Sequence, residues 1–171
     1  SVASRGLGDV YKRQGEQRDL WVVAVDGTSP PRQIVSTSAA DMRPAFSPGG
    51  NWIAYASQVS GRREVYLLNF PDGTRVRQVS FDGGDSPAWS PDGRSLYYRS
   101  RAGLVKVEIS PDGAVNSRPT VVYDKPFGQS DIVARDYTVA PDGRIVIVEP
   151  SETRVTVDRV NVITNWFKLL P

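Results

Sequence analysis

Cysteine and histidine are both absent from this chain of 171 residues. Without cysteine, the chain can form no disulfide framework and offers no thiolate as a nucleophile or metal ligand. Without histidine, it cannot by itself supply a Ser-His-Asp triad, a Cys-His pair or the ordinary zinc ligand sets. These absences exclude the commonest hydrolase and zinc-site designs, and we expect no catalytic residue, no metal and no cofactor.

Long apolar runs are missing as well. The longest, such as LWVVAV at residues 20–25, are far shorter than the roughly 20 residues that span a bilayer. The first residues, SVASRGLGDVYKRQ, have neither the apolar run nor the small-residue cleavage site of a secretory signal. We therefore expect no membrane contact by this segment.

The chain also has little net charge, with 21 basic and 19 acidic residues. Residues 4–14, SRGLGDVYKRQ, back-translate over eleven codons to what looks like a sequencing-library adapter. We therefore interpret residues 1–14 as a non-native, disordered remnant that does not belong to the fold. That segment holds three of the basic residues and one of the acidic ones, which leaves 18 of each. This balance gives no electrostatic reason to expect a nucleic-acid partner.

What the sequence does contain is a repeat. PAFSPGGNWIAYAS at residues 44–57 returns 43 residues later as PAWSPDGRSLYYRS at 87–100. A third copy begins with DYTVAPDGRIVIVE at 136–149, and RDLWVVAVDGTSPPRQIVS at 18–36 matches the second half of the unit. Periods of about 40 to 50 residues are typical of propellers, solenoids and other arrays.

Each period has the pattern of short strands and not of helices. In LVKVEIS, at residues 104–110, apolar and charged side chains alternate as they do in a half-buried strand. The turn sequences SPDGR, FPDGT and SPDGA separate such runs, since proline pre-sets φ for a turn and glycine allows positive φ. The first complete unit is predicted to form one four-stranded antiparallel blade, with strands at 44–47, 51–57, 64–70 and 75–80.

The predicted fold class is therefore all-β, a partial β-propeller of about three and a half four-stranded antiparallel blades. Closed propellers need about four to eight blades, so we expect N-terminal blades of the same protein, missing from this sequence, to be partners of this segment. The predicted divisions are the remnant at 1–14, half a blade at 15–38, complete blades at 39–81 and 82–126, and a C-terminal blade at 127–171.

The stretches FSPGGNWIAYAS, WSPDGRSLYYRS and VAPDGRIVIV resemble the WD-repeat-like repeats of the TolB-like and prolyl-oligopeptidase propeller group. One departure is Gly49, where the motif has an aspartate, which weakens the local hydrogen bonding of that turn. The closing stretch, VDRVNVITNWFKLLP, resembles the C-terminal ending of bacterial proteins in which such a propeller follows a serine/threonine kinase domain. The resemblance implies a propeller fold and, by analogy, an extracytoplasmic location.

The repeated aromatic residues are predicted to form the packing between blades, because a blade cannot cover both of its own faces. We interpret them as core residues and not as an aromatic ligand cage. They are Phe46, Trp52, Tyr55, Trp89 and Tyr98.

Charged residues near the blade ends are the candidate site. Several arginines fall before first strands or between second and third strands, in loops that share one face of a propeller, and arginine suits bidentate contacts with carboxylates. Asp41, Asp85 and Asp136 precede first strands, where paired acids would suit glycoside hydrolysis, although aspartates in such loops usually bond the backbone. The predicted ligand- or partner-binding residues are Arg43, Arg62, Arg63, Asp85, Arg99, Arg101 and Asp136.

These observations favour a non-catalytic propeller segment of a larger bacterial protein, which binds a protein or a small ligand at its loop face or in its central channel. The resemblance of the closing stretch implies a kinase domain in the same protein. The alternative is the gating propeller of a prolyl-oligopeptidase-like serine peptidase.

The genomic sequence around this segment separates these two alternatives. We expect kinase motifs upstream of the codon for Ser1 and no hydrolase domain downstream of the codon for Pro171. Sequencing the locus checks both expectations, and it also shows whether the codons for residues 1–14 belong to the gene. A hydrolase domain downstream would replace the kinase interpretation with the gating propeller.

Overall fold

The computed structural model describes residues 18–125 and 136–149. Every regular element in these two ranges is a β-strand. The strands are β1 (Leu20–Val22), β2 (Arg32–Val35), β3 (Asp41–Phe46), β4 (Trp52–Ser57), β5 (Glu64–Asn69), β6 (Val76–Gln78), β7 (Asp85–Trp89), β8 (Ser95–Ser100), β9 (Gly103–Glu108), β10 (Thr120–Tyr123), β11 (Tyr137–Val139) and β12 (Ile145–Ile147). The predicted remnant, and most of the predicted C-terminal blade, lie outside the described residues.

The strands form four antiparallel sheets. Two sheets have four strands each, β3-β4-β5-β6 and β7-β8-β9-β10, and both run in chain order. The other two, β1-β2 and β11-β12, have two strands each among the described residues. The predicted fold class is confirmed, since the chain is all-β with four-stranded antiparallel sheets, consistent with a partial β-propeller. The complete sheets lie within the predicted units 39–81 and 82–126, whereas the unit boundaries and the number of blades stay predictions.

Strands β4 and β5 form the buried centre of the first complete sheet, because both faces of the sheet are covered. Every residue of both strands is buried. Successive side chains of a strand point to opposite faces, so Tyr55 and Tyr66 pack with Leu20 of the preceding sheet. Leu67 points the other way and packs with Leu96 of the following sheet. Each sheet thus supplies the cover for its neighbour.

Serine hydroxyls close the turns between the first and second strands. Ser90 Oγ accepts a hydrogen bond from Ser95 N at 2.9 Å and donates one to Asp92 Oδ1 at 2.6 Å. The bond from Ser90 lowers the pKa of Asp92. In the preceding sheet, where glycine replaces this aspartate, Ser47 Oγ still accepts from Trp52 N at 3.0 Å. That turn therefore keeps the serine bond to the backbone and lacks the bond to a carboxylate.

β4 and β5 match their predicted bounds to within one residue, whereas β3 and β6 differ by more. β3 begins at Asp41 and not at residue 44, because a bulge between Met42 and Ala45 lets the pairing with β4 continue past the proline. β6 is shorter than the predicted 75–80 and covers only Val76–Gln78. Its predicted last residue, Ser80, instead hydrogen-bonds the start of β5.

The prediction that Phe46 belongs to the core is wrong. Phe46 is 52% exposed, whereas the other four predicted aromatic residues are buried. Trp89, the equivalent residue of the next sheet, donates its Nε1–H to Ala45 O at 3.1 Å and is covered by β3. The described β1-β2 sheet has no strand in the place that β3 takes beside Trp89. Phe46 instead meets the ring of Phe70 edge-on, at a centroid distance of 5.2 Å.

Trp52, in β4 of the first complete sheet, is covered by the turn that follows β9 in the second complete sheet. Its Nε1–H donates to Pro111 O at 3.1 Å. Gly113, in the same turn, has a φ of +80°, and a Cβ at this position would lie 2.4 Å from the Trp52 ring. Gly73 is the equivalent glycine of the preceding sheet, with a φ of +68° and open space around such a Cβ.

These two glycines form a matched pair for testing the packing of Trp52. Alanine at either position adds backbone strain of about 1–2 kcal/mol, since an L-residue disfavours positive φ. Gly113→Ala should lower the free energy of unfolding by a further 1–3 kcal/mol or so, because its methyl group overlaps the Trp52 indole. Urea denaturation of the two variants measures the difference, and equal losses would show that Trp52 does not lie against this turn.

Candidate functional site at the strand starts

The starts of β3 and β7 share an unusual backbone feature. Arg43 and Ser86 have positive φ angles of 55° and 52°, and each lies where the pairing with the next strand shifts register. They are equivalent positions of the repeat, each followed by a proline. Such a backbone costs of order 1–3 kcal/mol and persists only where surrounding contacts hold it, often at functional sites. The strand starts are therefore the first place to look for a site.

Asp85, the first residue of β7, is the centre of the site. Its Oδ2 atom accepts from Arg43 Nη1 at 2.8 Å, from Arg63 Nη1 at 2.8 Å and from Arg99 Nη2 at 3.2 Å. Its Oδ1 atom accepts from Ser86 N at 2.7 Å. Three arginines from different parts of the chain thus converge on one carboxylate.

Arg99 extends this arrangement to the next sheet. Its Nη1 atom pairs with Asp136 Oδ2, immediately before β11, while its Nη2 atom contacts Asp85. Beside it, the Tyr137 hydroxyl donates to Ser86 O at 2.6 Å. The contacts therefore tie three successive sheets together where their first strands begin.

We name Arg43, Arg63, Asp85, Arg99 and Asp136 the arginine-carboxylate cluster. Its two aspartate side chains are 9% and 4% exposed, and its arginine side chains are 13%, 35% and 22% exposed in chain order. The ions hold one another in place, since a buried charge that loses its partner costs several kcal/mol. Within the described residues, three guanidinium groups thus contact two carboxylates.

Five of the seven residues predicted for the site are thus brought together, and two lie apart. Arg62 pairs with Glu64 and Asp82 and donates to the Phe81 carbonyl. Arg101 is exposed in the turn between β8 and β9. Ligand or partner binding by any of the seven stays a prediction.

Sequence reasoning missed Glu64, which organises the loops beside the cluster. Glu64 is 1% exposed and accepts hydrogen bonds from Ser80 Oγ, from Gly83 N and from Arg62 Nε. It thereby fixes the β4-β5 loop to the β6-β7 loop. The one sequence signal was an acidic residue at the first position of a strand predicted to be covered on both faces.

Asp41 does not join the cluster. It is 1% exposed, and its Oδ2 atom accepts from Thr37 Oγ1 at 2.9 Å. Burial, and then the charge of Asp41, raise the pKa of Tyr55. Arg99 bridges Asp85 and Asp136, which puts a guanidinium where a glycosidase would hold the sugar between two acids. This geometry does not favour the paired-acid alternative.

Two grooves lie outside the arginine-carboxylate cluster. One, of about 510 Å³, runs along the first strands of three sheets, past Pro44, Ala88 and Val139, and no charged side chain is among its described lining residues. The other, of about 760 Å³, lies at the opposite ends of the sheets, between Trp52 and Pro111. None of the seven predicted residues lines either groove.

Asp85 should be the residue whose charge the local fold depends on most. Asp85→Asn leaves three guanidinium groups around a neutral amide, and we expect a loss of about 3–5 kcal/mol in the free energy of unfolding. The matched control is Asp82→Asn, which removes a fully exposed partner of Arg62 and should change that free energy by less than about 1 kcal/mol. Urea denaturation compares the two, and similar midpoints would contradict the central place of Asp85.

Comparisons with known proteins agree with this architecture. The "Tol-Pal system protein TolB" of Alkalilimnicola ehrlichii is 42% identical over 67 residues, which cover 39% of this chain and 15% of that protein. The "Protein TolB homolog" of Chlorobaculum tepidum is 30% identical over 96 residues, which cover 56% of this chain and 22% of that protein. The chain thus spans between 15% and 22% of the length of these curated relatives.

A solved structure shows the same fold. TolB from Agrobacterium tumefaciens superposes with a TM-score of 0.50 at 18% identity, over 62% of this chain and 41% of that one. Within residues 18–125 and 136–149, no helix has the length and apolar character needed to cross a membrane. The family model described as "TolB beta propeller domain" matches residues 6–164, and the chain therefore belongs to the TolB β-propeller domain family.

Proposed function

We propose that this chain is a non-catalytic docking module, which binds a partner protein at its loop face. We define the loop face as the end of the sheets where β3, β7 and β11 begin, formed by the β4-β5, β6-β7 and β8-β9 loops. The observation that carries the proposal is the arginine-carboxylate cluster, which ties three successive sheets together where their first strands begin and anchors the β4-β5 loop to them through Arg63. A surface held in this way loses little conformational entropy when a partner binds.

Exposed apolar side chains on the loop face support a protein partner. Phe81, in the β6-β7 loop, is 70% exposed, and Val59, in the β4-β5 loop, is 50% exposed. Arg62 lies beside Phe81, because it donates to the Phe81 carbonyl. Aromatic residues and arginine are enriched in protein interfaces and among the residues that carry most of the binding energy. The loop face has this composition.

The relatives suggest which partner to test first. Proteins that match this chain are named as members of the Tol-Pal system, so we propose that the Pal component of that system is a partner of the intact protein. We also propose an extracytoplasmic location for the module, on the resemblance of its repeats. Attachment to a kinase domain rests only on the closing stretch, residues 157–171, which lies outside the described residues, and the genomic sequence tests it.

Binding of purified Pal to the full chain, measured by isothermal titration calorimetry, tests the loop face. Phe81→Ala should weaken binding roughly 5- to 30-fold, which corresponds to about 1–2 kcal/mol for a central interface aromatic. Val59→Ala should weaken it less. The fold should survive both changes, because both side chains are exposed.

The matched control is Val76→Ala, since Val76 is 54% exposed but lies at the opposite end of the same sheet. Its affinity for Pal should equal that of the unaltered chain. Equal losses in the Val59 and Val76 variants, or no loss in the Phe81 variant, would place the contact elsewhere. No heat of binding at any concentration would remove Pal as the partner.

A further inference from the structure

We infer that Phe81 is a preformed anchor, whose phenyl ring enters an apolar pocket of the docked partner, and that the buried Glu64 positions it. The inference rests on the proposed docking function. It adds to that function the shape of the partner's surface and a residue that acts without touching the partner. Phe81 lies in the β6-β7 loop, and Glu64 is the first residue of β5.

The β6-β7 loop is hydrogen-bonded to the start of β5 at several successive residues. Ser80 Oγ donates to Glu64 Oε2. Gly83 N donates to Glu64 Oε1 at 3.0 Å, and Gly84 N donates to Arg63 O at 3.0 Å. The loop is therefore fixed on both sides of its aromatic residue.

Arg62 adds a contact at Phe81 itself. Its Nη2 atom donates to the Phe81 carbonyl. Its Nε atom donates to Glu64 Oε1 at 2.5 Å, and its Nη1 atom lies 3.3 Å from Asp82 Oδ1. Glu64 is 1% exposed, so the packed interior around it sets its position. The Arg62 guanidinium thus links this buried carboxylate to the backbone of the exposed aromatic residue.

Close packing also restricts the loop. A Cβ at Gly84 would lie 2.3 Å from Ser80 Oγ and 3.0 Å from Val65 Cγ2. The backbone of the loop therefore lies directly against β5. A loop that is held in this way before a partner arrives loses little conformational entropy on binding.

The phenyl ring of Phe81 is the apolar part of this loop that the fold leaves open, since the residue is 70% exposed. Phe46 is also exposed, but its ring meets Phe70 edge-on at 5.2 Å, so the chain covers part of it. A projecting ring is covered best by a concave surface, because a flat surface reaches only one of its sides. Residues that carry most of the binding energy lie in such desolvated pockets.

The charged neighbours of Phe81 suit the rim of this contact. Arg62 and Asp82 pair with each other, and their side chains are 53% and 99% exposed. Exposed ion pairs contribute little, and interface rims are polar and accessible to water. We therefore assign recognition to the ring and not to a charge.

Amide hydrogen exchange of the full chain, followed by NMR, tests the positioning role without a partner. Glu64→Gln keeps the size of the side chain and removes the charge that binds Arg62. The amides of Gly83 and Gly84 should then exchange roughly 10-fold faster or more, because the loop opens more easily. The control is the amide of Gly113, which is hydrogen-bonded in a turn at the opposite end of the sheets and should not change. Unchanged exchange in the loop would overturn the role of Glu64.

A double-mutant cycle on Pal binding, measured by isothermal titration calorimetry, tests whether Glu64 acts through Phe81. Glu64→Gln should weaken Pal binding roughly 3- to 10-fold, because the loop must then be ordered on binding. In the Phe81→Ala chain the same change should alter the affinity by less than about 2-fold, since no ring remains to be positioned. Equal effects in the two backgrounds would show that Glu64 does not act through the ring.

Gly113→Ala controls for a general loss of stability. It destabilises the chain at the opposite end of the sheets and should leave the affinity for Pal unchanged. If Glu64→Gln does not fold, Arg62→Ala takes its place in the cycle, because its side chain is half exposed and its loss also frees the Phe81 carbonyl. A loss that persists in the Phe81→Ala background would mean that Arg62 contacts Pal directly, and the positioning role would be wrong.

Phe81→Trp tests the shape of the partner's surface. A pocket that fits a phenyl ring rejects the larger indole, so the affinity should fall roughly 5-fold or more. A flat apolar surface would instead accept the indole with equal or higher affinity. That result would overturn the pocket. The fold should survive the change, because the side chain is exposed.

The outcomes distinguish this inference from the docking function. If Phe81→Ala weakens Pal binding while Glu64→Gln does not, docking at the loop face stands and the positioning role falls. If Phe81→Ala has no effect, or the unaltered chain gives no heat with Pal, the anchor falls together with the proposed docking, whichever exchange rates are observed.

Discussion

Each four-stranded sheet of this chain has two apolar faces, and a sheet cannot cover either face by itself. The rest of the structure depends on this constraint. Tyr55 and Tyr66 need the preceding sheet, and Leu67 needs the following one. The same aromatic and aliphatic positions must therefore recur about every 43 residues, as the sequence shows. Turns that reverse the chain after each short strand must recur with them.

The stacking also creates the candidate site. Because successive sheets pack with their first strands side by side, residues far apart in sequence meet at the common end of those strands. Arg43 and Asp85 are 42 residues apart and lie 2.8 Å from each other. Arg99 and Asp136 meet in the same way across the next boundary. The regular spacing of the repeat therefore places ion pairs between neighbouring sheets.

Much of the fold follows from the sequence, because turn residues and strand periodicity act locally. The partners of the charged residues cannot be predicted in this way, since they depend on the register in which neighbouring strands pair. Asp41 and Asp85 both begin a first strand, but Asp41 lies two residues before Arg43 and Asp85 only one residue before the equivalent Ser86. Asp41 therefore pairs with Ser57, whereas Asp85 pairs with Arg99. This offset of one position points the two side chains to opposite faces. Asp85 consequently meets three arginines, and Asp41 meets Thr37.

The exposure of Phe46 has a similar origin. The repeat gives it the same role as Trp89, but its burial depends on which strand lies beside it and not on its own position in the motif. Trp89 has β3 as a neighbour. The repeat motif therefore predicts which side chains point towards a neighbouring blade. Whether such a side chain is buried depends on which strands of that neighbouring sheet lie beside it.

Buried ion networks of this kind are weak evidence for stability, because apolar residues of the same volume often hold a fold equally well. The cluster also maintains positive φ angles at Arg43 and Ser86, which adds strain. An explanation by stability alone would therefore require neither the charges nor the bulges. Holding the loop face rigid for a partner, the function proposed above, accounts for both. Arg63, the most exposed of the three arginines, lies in the β4-β5 loop of that face, and the exposed Val59 lies in the same loop.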